Sequence, residues 1–129
     1  MKKTFIKIMA LALAVVMACT MLVSCGGPNA DPDKAVKALE KNDYGAEKID
    51  SKLGLLAYSW AGDGLECVVV GLDKNFDGVT ILYYEDAKSA NAAWEKVEEH
   101  ESDKEDGYVL KKSGKMIYFG SEEAVKAAK

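Results

Sequence analysis

Leu65-Glu66-Cys67-Val68-Val69-Val70-Gly71-Leu72 and Val79-Thr80-Ile81-Leu82-Tyr83-Tyr84, with Asp73-Lys74-Asn75-Phe76-Asp77-Gly78 between them, are the most legible stretch of this 129-residue chain. Both apolar runs are short and rich in Val, Ile and Tyr, as strands are. The polar link that ends in glycine reads as a hairpin loop. A sheet with one face in water alternates apolar and polar residues, and these runs barely do. Leu65, Cys67 and Val69 stand against Val68, Val70 and Leu72, while Val79, Ile81 and Tyr83 stand against Thr80, Leu82 and Tyr84. Later, Met116 and Tyr118 oppose Ile117 and Phe119. Both faces of the sheet therefore need cover.

Helices that supply the cover lie on either side. Asp31-Pro32 starts one, with Asp as N-cap and Pro at the first helical position, where its missing donor costs nothing. Ala35, Val36 and Leu39 share its inner face, and it runs to about Asn42 or Asp43, with Gly45 placed to close it. Ala46–Asp50 is a weaker strand. Ser51 caps a second helix, in which Leu53, Leu56, Ala57 and Trp60 follow helical spacing, and Gly62-Asp63-Gly64 turns the chain. Asp86 caps the best helix: Ala87, Ala90, Trp94 and Val97 form its stripe, with Ala93 beside them. Tyr108–Lys112 and Lys115–Phe119 pair around Ser113-Gly114, where Lys111, Lys112 and Lys115 discourage edge-to-edge association. Ser121 caps a last short helix with Glu122 and Glu123 at its positive end.

The expected class is α+β, a mainly antiparallel sheet with packed helices. The central order β-α-β-β-α-β suits a ferredoxin-like core with extra terminal helices. That core's two helices cover one face only, so the terminal helices are expected to roof the other. If they leave it open, Val68, Val70, Leu82 and Tyr84 form a candidate interaction patch for a protein partner or a second copy of the chain.

The first 25 residues carry an address. Met1–Lys7 is basic, and Ile8–Val23 is a near-continuous apolar run broken by Thr20. This is the pattern of a secretory signal. It ends in Leu22-Val23-Ser24-Cys25 followed by Gly26-Gly27-Pro28-Asn29, and here the chain resembles the bacterial lipoprotein signal family. The resemblance implies a diacylglyceryl group on the Cys25 sulfur, cleavage before it, and Cys25 as the new N-terminus. Residues 1–24 would be removed, 25–30 would form a lipidated tether, and 31–129 one domain. Acyl chains anchor because each buried methylene contributes roughly 0.8 kcal/mol. Two other readings stay open: an uncleaved helix over Phe5–Ser24, near the ~20 residues a bilayer requires, and modification at Cys19.

Composition narrows the function classes. The chain has 17 Lys, no Arg, 21 acidic residues and one His, for a charge of −4. Without Lys2, Lys3 and Lys7 of the leader, 14 Lys face 21 acids, a charge of −7. An acidic chain without guanidinium groups lacks the forked donors that grip phosphates, which argues against nucleic acid. Acidic domains are also poor ligands for anionic lipid surfaces. With the signal gone and Cys25 acylated, Cys67 is alone, so no internal disulfide forms, and it reads as a small core hydrophobe.

No catalytic residues, cofactor or metal site are assigned. Asp73-x-Asn75-x-Asp77-Gly78 copies half of a calcium loop, but the twelfth position, where that loop needs a bidentate Glu, is Tyr84. It reads as a polar hairpin turn. Glu95, Glu98, Glu99, Glu101, Asp103, Glu105 and Asp106 surround His100 in an acidic run that opposes a helix dipole. It reads mainly as solvated surface. A triad would need His100 as its only imidazole. The expectation is a lipid-anchored extracytoplasmic binding or interaction module, resembling small bacterial surface lipoproteins, a class defined by address rather than activity. The alternative is an enzyme accessory or carboxylate-dependent hydrolase of the cell envelope that uses the acids around Glu98 to Glu101.

Overall fold

The computed structural model describes residues 27–101 and 108–129. Its elements are α1 (Pro32–Lys41), β1 (Gly45–Ile49), α2 (Lys52–Leu55) continued by a 3₁₀ segment (Leu56–Ala61), β2 (Leu65–Leu72), β3 (Gly78–Tyr84), α3 (Ala87–His100), β4 (Tyr108–Ser113), β5 (Met116–Ser121) and α4 (Glu122–Ala127). The five strands form one antiparallel sheet in the order β1-β2-β3-β5-β4. The class is α+β, as the sequence implies.

Local chemistry sets the element ends. Asp31 accepts the Asp33 N–H, Ser51 that of Gly54, Asp86 that of Ser89 and Ser121 that of Ala124. Each cap satisfies a donor that the first helical turn leaves orphaned. α1 is closed not by Gly45, which begins β1, but by Asp43 at φ 68°, after which the Tyr44 N–H returns to the Leu39 carbonyl at 2.9 Å. The second helix continues as a 3₁₀ segment from Leu56. The β4–β5 turn is Gly114-Lys115, since Ser113 pairs with Met116.

The ferredoxin-like core is corrected. That plan needs the strands joined by its first helix to be parallel with another strand between them, whereas here β1 and β2 pair directly and antiparallel, although α2 and α3 do share one face. The second split β-α-β unit of that plan does occur, but with β5 in place of β1 between its strands. β3 and β4 are both antiparallel to β5 and so parallel to each other, with α3 joining them and β5 between.

Both faces are covered. α1 and α4 lie over Cys67, Val69, Val79, Ile81, Tyr83, Met116 and Tyr118. α3 and the 3₁₀ segment lie over Val68, Leu82, Tyr84, Ile117 and Phe119. The terminal helices thus roof the face opposite to the expected one. The candidate patch is corrected with them: Val68, Leu82 and Tyr84 are fully buried and Val70 is half-buried, because Ala61, Ala90, Ala93 and Val97 fill the space above them. Leu65 also changes face. A bulge between Leu65 and Cys67 inserts one residue and moves Leu65 to the side of Val68.

Candidate functional site

The strongest site candidate grows from the start of the described chain. Pro28 is buried, and Asn29 is fixed through its backbone at both polar atoms. Its N–H donates to the Ala128 carbonyl at 2.8 Å, and its carbonyl accepts the Tyr83 hydroxyl at 2.7 Å. Its side chain braces the entry to α1, Oδ1 accepting the Asp31 N–H at 2.9 Å. Gly27 lies on Tyr118 so closely that an added Cβ would sit 3.1 Å from the Tyr118 hydroxyl oxygen. Residues 27–29, expected as tether, are therefore seated on the α1/α4 face. Burial raises the Tyr83 hydroxyl well above the usual phenol range, so it stays a donor to Asn29.

Cys25 and the residues Leu22, Val23 and Ser24 lie outside the described residues. No described helix is long and apolar enough to cross a membrane.

A second cluster gathers at the C-terminal end of α3. The Trp60 and His100 rings stack at 3.7 Å with planes 5° apart, and Tyr58 and Phe119 flank Trp60. Glu101 Oε2 is 2.9 Å from His100 Nδ1, and Oε1 accepts the Tyr108 hydroxyl at 2.6 Å. Burial, reinforced by that bond and the Glu101 charge, pushes Tyr108 well up. Glu101, an acid at the wrong end of a helix dipole, is thus held by two side chains. Glu98 and Glu99 are exposed, while Asp103, Glu105 and Asp106 lie outside the described residues. Sequence reasoning missed this cluster, since 40 positions separate Trp60 from His100. The aromatic spacing at Tyr58 and Trp60 was the one available signal.

The third candidate is the β2–β3 loop. Asp73 Oδ1 accepts the N–H groups of Asn75 at 2.8 Å and Asp77 at 2.9 Å, and Asp77 Oδ2 accepts the Ser121 hydroxyl at 2.8 Å. These carboxylates shape the loop and fasten it to the start of α4. No group of three or more His, Cys, Asp or Glu side chains among the described residues is arranged to hold a metal. The loop lifts Phe76, at φ 62° and 84% exposed, into solvent. Beside it, an open groove of 680 Å³ is lined by Asn42, Tyr44, Asp73, Lys74, Glu123 and Lys126, among others. Desolvation, with Asp77, Asp73 and Glu123 nearby, raises the Tyr44 hydroxyl.

Cys67 is a buried free thiol. Desolvation pushes it up to about 11, against the pull of Lys48, which leaves little thiolate at neutral pH.

Comparison with protein-family models, with curated proteins and with solved structures finds no match.

Proposed function

We propose that this chain is a lipid-anchored extracytoplasmic module for binding or protein interaction, without catalysis of its own. The observation that carries this reading is the closeness in sequence of Leu22-Val23-Ser24-Cys25 to Gly27–Asn29, a segment seated on the domain. Acylation would then place a folded domain directly on its anchor. Intact-mass analysis of the chain purified from a membrane fraction tests it. The expected mass starts at Cys25 and includes acyl groups, and Cys25→Ala abolishes both processing and acylation. A Cys25→Ala chain still cleaved and acylated, or a wild-type chain keeping its leader, would overturn it.

The contact surface that fits this role is the β2–β3 tip. A non-glycine residue at positive φ is costly and persists where its surroundings hold it, as Asp73 holds the Phe76 loop. An exposed ring on a rigid tip is a natural anchor for a partner's pocket. A photo-crosslinking residue at position 76, used on intact cells with mass spectrometry, should capture a discrete neighbour or a second copy. The same residue placed on exposed Glu99 should not.

A further inference from the structure

We propose that the β4–β5 hairpin seats this domain on anionic lipid headgroups, an inference that rests on the anchor reading and adds an orientation to it. Gly27, two residues from Cys25 in sequence, meets the sheet at Tyr118. Tyr118 pairs with Lys111 across the β4–β5 ladder, which puts a lysine of an edge strand beside that point. Lys112, opposite Ile117 on the α3 side of the same edge strand, and Lys115 in the turn are also exposed, and Tyr108–Ser121 holds no acidic residue at all. In a domain that carries a charge of −7 overall, this is a local reversal.

Exposed Glu95, Glu98 and Glu99 belong to α3, over the face opposite to Gly27, and exposed Glu122 and Glu123 open α4 beside the Ser121 end of β5, away from the lysine turn. On Gly27's own face exposed Asp31 and Asp33 start α1, where Asp33 is paired with Lys48. Near the turn, Asp86 is engaged by the Ser89 N–H, and exposed Glu85 follows Tyr84, whose N–H donates to the Lys115 carbonyl. The Phe76 tip lies at the other end of the sheet, because β3 runs from Gly78 beside that loop to Tyr83 opposite Met116, next to the lysine turn. Seating the hairpin on the bilayer therefore turns Phe76 outward. Lysines close to an anionic surface each attract it measurably, and salt weakens that attraction. The acidic average of the chain argued against such a surface; the arrangement of its lysines argues for one small contact held in place by the lipid.

Fluorophore-labelled chains test the orientation. Cys67 is buried and Cys25 is acylated, so Ser113→Cys and Glu99→Cys each offer one labelling site. The acylated proteins are placed in vesicles of one part phosphatidylglycerol to two parts phosphatidylcholine, with a nitroxide on a fraction of the headgroups. Quenching at position 113 should exceed that at position 99 severalfold. It should fall toward the position-99 value in pure phosphatidylcholine, at high salt, and in the Lys111→Gln/Lys112→Gln/Lys115→Gln variant. Salt acts on the wild-type chain, so the test survives a variant that folds poorly. Equal quenching at the two positions, or quenching at 113 indifferent to lipid charge and salt, overturns the seat while leaving the anchor intact. A purified chain whose mass lacks acyl groups overturns the anchor and the seat together.

Discussion

Tyr83 and Tyr84 are neighbours on β3 and point to opposite faces, and each ties a different layer to the sheet. Tyr83 donates to the Asn29 carbonyl on the α1/α4 side. Tyr84 donates to the Ala61 carbonyl at 2.6 Å on the α3 side and is fully buried. Removing one partner of a buried hydrogen bond leaves the other unsatisfied, at about 1–3 kcal/mol. Tyr84→Phe should therefore lower the unfolding free energy by an amount in that range, read as a lower urea midpoint at unchanged slope. Tyr83→Phe should act more locally and speed hydrogen exchange at Asn29. The same burial gives these side chains an alkaline signature. Desolvation raises Tyr84 to about 12 and Cys67 from 9.0 to about 11. In the unfolded chain both lose protons earlier than in the folded one, so the unfolded state binds fewer protons and is favoured as pH rises. Stability should be flat through neutral pH, decline from about pH 9 as the thiol of the unfolded chain ionises, and go on declining toward pH 12. Denaturation melts across that interval check it, and a melt insensitive to pH up to 12 would contradict the buried assignments.

Among the elements, α4 shows how a six-residue helix, too short to be stable alone, is kept in place. Ser121 both accepts the Ala124 N–H and donates to Asp77, so one hydroxyl caps α4 and fastens the β2–β3 loop. Ser121→Ala removes both, and the expected loss is about 1–2 kcal/mol, read as a shift in thermal midpoint. Asp77→Asn, which spares the cap, should cost less. Most of these elements are legible beforehand, since Asp31, Ser51, Asp86 and Ser121 announce helix starts through capping chemistry that acts over three residues. Non-local features are not. Strand alternation shows that both faces want cover, but parity cannot say which helix lands on which face. That is why Val68, Leu82 and Tyr84 looked available and are instead buried. The bulge that turns Leu65 over has no marker in a run of apolar residues. The Trp60–His100 stack depends on how a 3₁₀ segment crosses α3, which only the assembled fold determines.

At the scale of the molecule, covering both faces removes the sheet as a seam for self-association. Residues 27–129, freed from the leader and the lipid, are expected to sediment as a monomer. A dimer abolished by Phe76→Ser would instead place a second copy on the loop tip, and a dimer unaffected by that change would point to another surface. The proposed address, by contrast, rests on consecutive residues: a basic start, an apolar run and Leu22-Val23-Ser24-Cys25 are legible without any tertiary structure.

The clasp at Asn29 has a mechanical consequence. Any tug applied through the amino-terminal end reaches Tyr83 in the middle strand and Ala128 near the other terminus before it reaches an outer strand. Part of the load thereby enters at the centre of the ladder, alongside the covalent path through α1 to β1 at its rim.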